Sequence, residues 1–156
     1  MQFRSSRFGL VEAEEDKVLS FPLGLPGFEH LRRFVLLPGP EGSVFGWLHS
    51  IDSESTAFLV TDPFFFFADY YVDIPEQDTK ELELEASADA LVLVIVSVPE
   101  GNVARATVNL LAPLVINTEK RLARQVILHS SPFTTNHPLF QPVAPGAAKE
   151  AVVCSY

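Results

Sequence analysis

The residue types best suited to chemistry in this chain indicate a binding surface. Four consecutive phenylalanines, Phe64 to Phe67, are followed by the adjacent tyrosines Tyr70 and Tyr71. Between positions 69 and 89 the chain carries eight acidic residues and one base, Lys80. Protein-binding surfaces combine aromatic side chains, which give desolvated contact area, with charges that steer the partner. We therefore predict that this stretch binds another protein.

Two alternatives stand beside that prediction. The acidic window could be a solvated face that aids solubility, and the phenylalanines could be core residues. Successive side chains of a strand face opposite sides, so four adjacent phenylalanines cannot all enter one core from a regular strand. We expect at least two of the four to be core. The candidate contact residues are Phe64, Phe65, Phe66, Phe67, Asp69, Tyr70, Tyr71, Asp73, Glu76 and Asp78.

The residues that usually carry catalysis show no constellation. The histidines His30, His49, His129 and His137 have no metal-ligand spacing, and the single cysteine, Cys154, excludes an intrachain disulfide and a multi-thiolate metal site. Nucleophile-elbow, phosphate-loop, dinucleotide and zinc-protease motifs are missing from the sequence. We predict a protein that is not an enzyme, with no catalytic, metal-binding or cofactor-binding residues. The alternative is a small-ligand-binding or enzymatic β-barrel with an aromatic-lined pocket.

Net charge and hydropathy restrict the classes of partner that this protein can bind. Twenty acids against eleven bases give a net charge of -9, which disfavours direct nucleic-acid binding and suits a basic protein partner. The first residues lack the pattern of a secretory signal, and the apolar runs are shorter than the roughly 18 residues of a membrane span. The sequence therefore predicts a cytoplasmic protein without membrane contact. We also expect a monomer when free; the alternative is a scaffold subunit that self-associates through residues 64–67.

Two apolar segments are expected to form the spine of the fold. Residues 91–96 have no polar residue at alternate positions, which predicts a central strand buried on both faces. Residues 107–117 are β-branched and aliphatic again, with Pro113 requiring a bend. Asn109 and Asn117 bracket this segment and are expected to bond backbone groups that the bend leaves unpaired. A hairpin over 99–103 would join the two segments into one antiparallel pair.

Frequent Gly and Pro between short apolar runs complete the fold prediction. We expect a mostly β, small antiparallel barrel or sandwich-like single domain of about eight to ten strands with one or two short helices. A helix of one or two turns is predicted after Pro75, a helical turn over 29–34 and the last strand over 125–129. Residues 1–139 would form the domain, and 140–156 a flexible C-terminal tail.

Six ordered motifs resemble the FliW family of bacterial flagellar assembly factors. The resemblance runs from about Phe8 to Leu139, and the string ARATVNLLAPLVIN contains its most specific part, from Asn109 to Asn117. The six motifs span residues 21–29, 34–38, 47–52, 57–63, 94–99 and 109–117.

This resemblance implies a non-enzymatic, barrel-like protein that binds flagellin in the cytoplasm as a chaperone. It also implies an exclusive partnership with the RNA-binding translational repressor CsrA, which the protein captures and antagonises once flagellin has been exported. On this basis the exposed members of Phe64 to Phe67 are expected to bind flagellin. The acidic and tyrosine residues of the candidate set are expected to bind the basic repressor.

Overall fold

Short strands are the predominant regular elements of the computed structural model, which describes residues 1–85, 90–129 and 131–140. Within these residues, two short helices and three 3₁₀ turns, at Glu15–Lys17, Pro99–Gly101 and Val103–Arg105, accompany the strands. In chain order the elements are β1 (Gln2–Ser5), β2 (Gly9–Glu12), β3 (Leu19–Ser20), β4 (Arg33–Pro38), β5 (Phe45–Ser50), β6 (Ala57–Thr61), α1 (Pro63–Phe66), α2 (Glu76–Glu81), β7 (Ala90–Ser97), β8 (Thr107–Val108), β9 (Leu114–Asn117), β10 (Leu122–Gln125) and β11 (His137–Pro138).

Pairing among the described strands closes a ring. β7 pairs antiparallel with β6 on one edge and with β9 on the other, so the order β7-β6-β5-β4-β3-β10-β9 returns to β7. The seam between β3 and β10 is parallel and consists of the single pair Leu122 and Ser20. β8 and β11 continue the sheet beyond the ring. The predicted mostly β barrel with one or two short helices is confirmed.

The central strand β7 separates two apolar cores. Leu93 and Ile95 pack inside the ring against residues such as Phe34 and Ile116. Val94 and Val96 point to the other side, where they join a second core that lies outside the ring and that we call the outer core. The predicted central strand packs apolar side chains on both faces, but it is less buried than expected: Val94 and Val96 are buried, whereas residues 91–93 and Ile95 are half-buried. The ring itself is filled by side chains, as expected for a small barrel.

The predicted spine exists in two pieces. β7 pairs with β8 through Val96 and Val108, and with β9 through Leu93 and Leu114. Between them the chain leaves the ladder at residues 109–113, the bend that Pro113 demanded. Asn109 Oδ1 accepts a hydrogen bond from the Ala112 N–H at 3.0 Å, as the sequence predicted. The expected hairpin connection over 99–103 is present, since it lies between the antiparallel neighbours β7 and β8, and it contains two 3₁₀ turns.

Two predicted elements were wrong: the helical turn over 29–34 and the position of the strand predicted over 125–129. Residues 29–34 do not form a helical turn; tight turns, with a bridge between Leu25 and Phe28, lead directly into β4 at Arg33. The last long strand ends at Gln125 instead of starting there, because the turn after β9 is short. Arg121 adopts φ +57°, which reverses the chain at once and starts β10 at Leu122.

Residues 2–12 form a separate hairpin. β1 and β2 pair antiparallel from Gln2 opposite Glu12 to Ser5 opposite Gly9, in a two-stranded sheet of their own. Of the predicted tail, Phe140 lies within the described residues, while 141–156 and with them Cys154 lie outside. Among the described helices, none is long and apolar enough to cross a membrane.

Candidate functional site

A helical turn presents the phenylalanines that the sequence singled out. Asp62 Oδ1 accepts a hydrogen bond from the Phe64 N–H at 2.9 Å, and Pro63 occupies the first helical position. This N-cap with a following proline starts α1 and takes the aromatic run out of the strand β6. Around a helical turn, adjacent side chains point about 100° apart, so they divide between surface and core. We call Asp62 to Phe67 the aromatic turn.

Two phenylalanines of the aromatic turn anchor it and two face outwards. Phe66 and Phe67 are half-buried and pack against the outer core, with the Phe66 ring 5.9 Å from that of Phe45. Phe64 and Phe65 are 47% and 48% exposed. The expectation that at least two of the four pack into the core is confirmed. The exposed pair is the part of the turn that can meet a partner.

The adjacent tyrosines lie in opposite environments. Tyr70 is 4% exposed, donates its hydroxyl hydrogen bond to the Leu110 carbonyl at 2.8 Å and packs on Phe133. Burial raises the pKa of the Tyr70 hydroxyl well above its ordinary value. Tyr71 is 58% exposed and leans on the same Phe133 ring, at 5.7 Å. Tyr71 therefore offers surface to a partner, whereas Tyr70 holds the aromatic turn to the outer core.

A groove beside Tyr71 brings acidic and apolar groups together. It measures about 410 Å³, and Asp73 and Glu76 lie on it as exposed carboxylates. Ile74 and Leu128 supply apolar walls. An exposed carboxylate pair above apolar walls suits a long basic side chain, whose stem is apolar and whose end is charged. We call this cavity the acidic groove; its lining residues are Tyr71, Asp73, Ile74, Pro75, Glu76, Leu128, His129 and Ser131.

The helix α2 contains two of the predicted contact residues: Glu76, at the edge of the acidic groove, and Asp78. Glu76 pairs with Lys80 one turn later at 3.6 Å, and both are strongly exposed, so this ion pair contributes little. Asp78 is different, because its Oδ1 lies 3.2 Å from Arg124 Nε and both side chains are about one-fifth exposed. The Arg124 Nε–H is not aligned for a hydrogen bond, so the contact is one of charge. Asp78 thus joins α2 to β10, while Asp69 is exposed in the preceding loop.

A second cavity lies on the outer face of the ring and was not predicted from the sequence. It measures about 290 Å³ and is almost wholly apolar, with Trp47 and Leu59 from paired positions on β5 and β6. Val103, 55% exposed, stands at its side. The alternation of Phe45 and Trp47 along β5 was the available signal. We call this the Trp47 groove; it is the nearest equivalent of the aromatic-lined pocket considered as an alternative.

The histidines differ in their burial and in what surrounds them. Within the described ranges, no three His, Cys, Asp or Glu side chains come close enough to hold a metal ion. His30 and His129 are exposed, while His49 is buried and engaged with Ser5 and Ser50.

Comparison with known proteins gives a consistent answer. The family model described as "FliW protein" matches residues 2–139. A Flagellar assembly factor FliW from Natranaerobius thermophilus is 43% identical over 140 residues, covering 90% of this chain and 93% of the relative. One from Moorella thermoacetica is 45% identical over 141 residues, covering 90% and 89%.

A solved structure agrees with these matches. A crystal structure of the flagellar assembly factor FliW superposes with a TM-score of 0.83 at 33% identity, covering 90% of this chain and 98% of that one. The resemblance that the six motifs predicted is confirmed.

Proposed function

The chain belongs to the FliW family of flagellar assembly factors, and from that membership we propose that it binds flagellin in the cytoplasm. When flagellin is absent, it binds the translational repressor CsrA and antagonises it. The relatives are named as assembly factors rather than as enzymes. We infer that its function is exchange between these two protein partners.

The aromatic turn beside the acidic groove carries this proposal. Phe64 and Phe65 are nearly half exposed on a turn that its own N-cap and the anchored Phe66 hold rigid. Rigid exposed aromatics contribute contact area at low entropic cost, which is why they dominate interface energetics. We assign the flagellin contact to Phe64 and Phe65.

The charge of the chain supports the second partner. An RNA-binding repressor carries lysines and arginines to meet phosphates, and those same side chains can enter an acidic groove. Asp73 and Glu76 supply two exposed carboxylates there, with Tyr71 beside them for cation–π contact. We assign the repressor contact to this groove. Asp69 lies before it in sequence and adds to the field that steers a basic partner.

A charge-reversal experiment tests the assignment of the groove. The double variant Asp73→Lys and Glu76→Lys is titrated calorimetrically with CsrA beside the unchanged protein. We expect affinity to fall at least about tenfold and its dependence on salt to weaken, since two attractive charges become repulsive. Asp78 is left unchanged because it pairs with Arg124 and its loss would also affect stability.

The matched control reverses two exposed acids elsewhere. Glu14→Lys and Glu15→Lys alter the net charge equally but lie after β2, and both side chains are exposed. The control should keep most of the affinity. An equal loss in both variants would mean that only net charge matters, and unchanged affinity in the groove variant would remove the groove from the interface.

A further inference from the structure

The buried His49 forms a hydrogen-bond relay that the proposed function does not use. Its ring is 1% exposed; Nδ1 lies 2.7 Å from the Ser50 carbonyl oxygen and Nε2 lies 2.7 Å from Ser5 Oγ. A carbonyl oxygen can only accept, so Nδ1 carries the hydrogen and donates it. In the neutral ring Nε2 is then an acceptor. The Ser5 hydroxyl therefore donates to His49 Nε2.

Ser5 has no further capacity to accept hydrogen bonds. Its Oγ already accepts from the backbone N–H groups of Arg7, at 3.1 Å, and Phe8, at 3.0 Å. These two bonds close the turn between β1 and β2. A hydroxyl oxygen has two lone pairs, and both are occupied. The relay is fully satisfied only while His49 is neutral.

Besides the bond to His49, the β1–β2 hairpin contacts the ring through Ser6, Phe3 and the residues of its tip. Backbone and side chain of Ser6 both donate to the Glu54 carbonyl, at 2.9 Å and 3.0 Å. The Phe3 ring lies 5.2 Å from that of His49. At the tip, the Arg7 guanidinium lies 4.3 Å from the Trp47 ring centre, with the Phe8 ring 6.1 Å from it. The hairpin tip thus lies against a residue of the Trp47 groove.

We propose that His49 is a proton-operated latch that releases the β1–β2 hairpin when it becomes charged. A proton on Nε2 makes that atom a third donor toward Ser5 Oγ, which has no lone pair left. At least one of the two turn bonds, or the bond to His49 itself, must then break. The ring would also carry a charge at a buried position, which further disfavours the closed arrangement.

Two charged side chains lie near His49, and they have opposite effects on a positive charge at its ring. Arg7 and Glu54 both line the cavity of about 280 Å³ beside His49. The Arg7 cation opposes a second positive charge and the Glu54 carboxylate favours one, but both side chains are exposed and screened. Val35 on β4 and Ala57 on β6, the residues paired with His49, are uncharged. Protonation of His49 therefore disfavours the latched state relative to the released state, because the Ser5 hydroxyl cannot accept a third hydrogen bond.

Hydrogen exchange and tryptophan emission test the latch in the full chain. Exchange of residues 2–12 is compared at about pH 7.5 and about pH 5.5, the range in which histidines titrate, after correction for intrinsic rates. We expect protection of the hairpin to fall at least about tenfold at the lower pH while β4 and β5 stay protected. Emission of Trp47, the single tryptophan, should change over the same range because Arg7 and Phe8 leave its ring.

Three variants make the result specific. His49→Gln keeps an acceptor oxygen but cannot gain a proton, so its hairpin should lose the pH response. His129→Gln removes an exposed histidine elsewhere and should keep the response. Ser5→Ala lacks the shared oxygen, so its hairpin should be poorly protected at both pH values.

Several outcomes would overturn the latch. One is equal hairpin protection at both pH values in the unchanged chain, and another is an unchanged pH response in His49→Gln. Should the Gln variant not fold, Ser5→Ala decides: protection as high as in the unchanged chain contradicts the proposal.

Discussion

The side-chain amide of Asn117 donates hydrogen bonds to the backbone carbonyls of Leu82 and Glu83, at 2.9 Å and 3.2 Å. Its Oδ1 accepts from the N–H groups of Glu119 and Lys120, both at 3.1 Å. One amide, 3% exposed, therefore joins the end of β9, the turn that follows and the end of α2. Through α2 it positions Glu76 at the acidic groove, so a residue of the spine supports the candidate site.

Replacement of Asn117 by Ala should be costly. Four backbone groups lose a partner, and we expect the free energy of unfolding to fall by about 2–3 kcal/mol. Urea denaturation followed by circular dichroism measures this as a lower midpoint at unchanged slope. Asn109→Ala is the matched control, because the half-buried Asn109 side chain accepts the hydrogen bond of the Ala112 N–H, and its loss should cost about 1 kcal/mol. Equal costs would contradict the role assigned to Asn117.

The Asp78–Arg124 contact should contribute to stability through coupling. Its side chains are about one-fifth exposed and lack an aligned hydrogen bond, so we expect a coupling energy of roughly 1 kcal/mol. A double-mutant cycle with Asp78→Asn and Arg124→Gln measures that energy. The exposed pair of Glu76 and Lys80 serves as the comparison and should show a much smaller coupling. The reverse order would contradict this account of α2 docking.

Because of Tyr70, the free energy of unfolding should fall as pH rises into the alkaline range. Burial raises the pKa of its hydroxyl, so the folded state keeps the proton that the unfolded state loses near pH 10. The stabilisation is complete below that pH and is lost as pH rises above it. Tyr70→Phe should lower the free energy of unfolding at pH 7 by about 1 kcal/mol, because the Leu110 carbonyl loses its donor. The variant should also show a shallower loss of stability with alkaline pH, measured by urea midpoints.

The exposed members of the aromatic turn should matter for binding and little for folding. Phe64→Ser with Phe65→Ser should weaken flagellin binding at least about tenfold, since exposed aromatics are typical anchors of an interface. Thermal unfolding should shift by only a few degrees, because the anchoring rings Phe66 and Phe67 remain. Val103→Ser is the control for a lost exposed apolar side chain and should leave flagellin affinity unchanged. Full affinity in the phenylalanine variant would move the contact away from the aromatic turn.

Local chemistry explains what could be predicted from the sequence. Pro113 demands a bend wherever it lies, and Asn109 and Asn117 bond backbone groups within three residues of themselves. The apolar run of β7 predicts burial on both faces without knowledge of its neighbours. Asp62 followed by Pro63 is a sequence signal for the start of the helix α1, but the four phenylalanines after it favour a strand by their β-propensity.

Features that depend on tertiary contacts could not be predicted from the sequence. Tyr70 and Tyr71 are adjacent and identical in type, yet Tyr70 is buried because the Leu110 carbonyl, 40 residues away, accepts its hydroxyl. Asp78 looks like any other acid of its window until β10 brings Arg124 to it. The Trp47 groove needs segments from four parts of the chain. Periodicity alone carries none of these relationships.

Competition between the two partners tests the central claim most directly. The purified chain is titrated by calorimetry with flagellin and with CsrA, and then with each in the presence of saturating amounts of the other. Partner exchange predicts binding to both alone and loss of the second binding heat when the first site is filled. Binding to neither, or independent binding to both at once, would contradict the exchange.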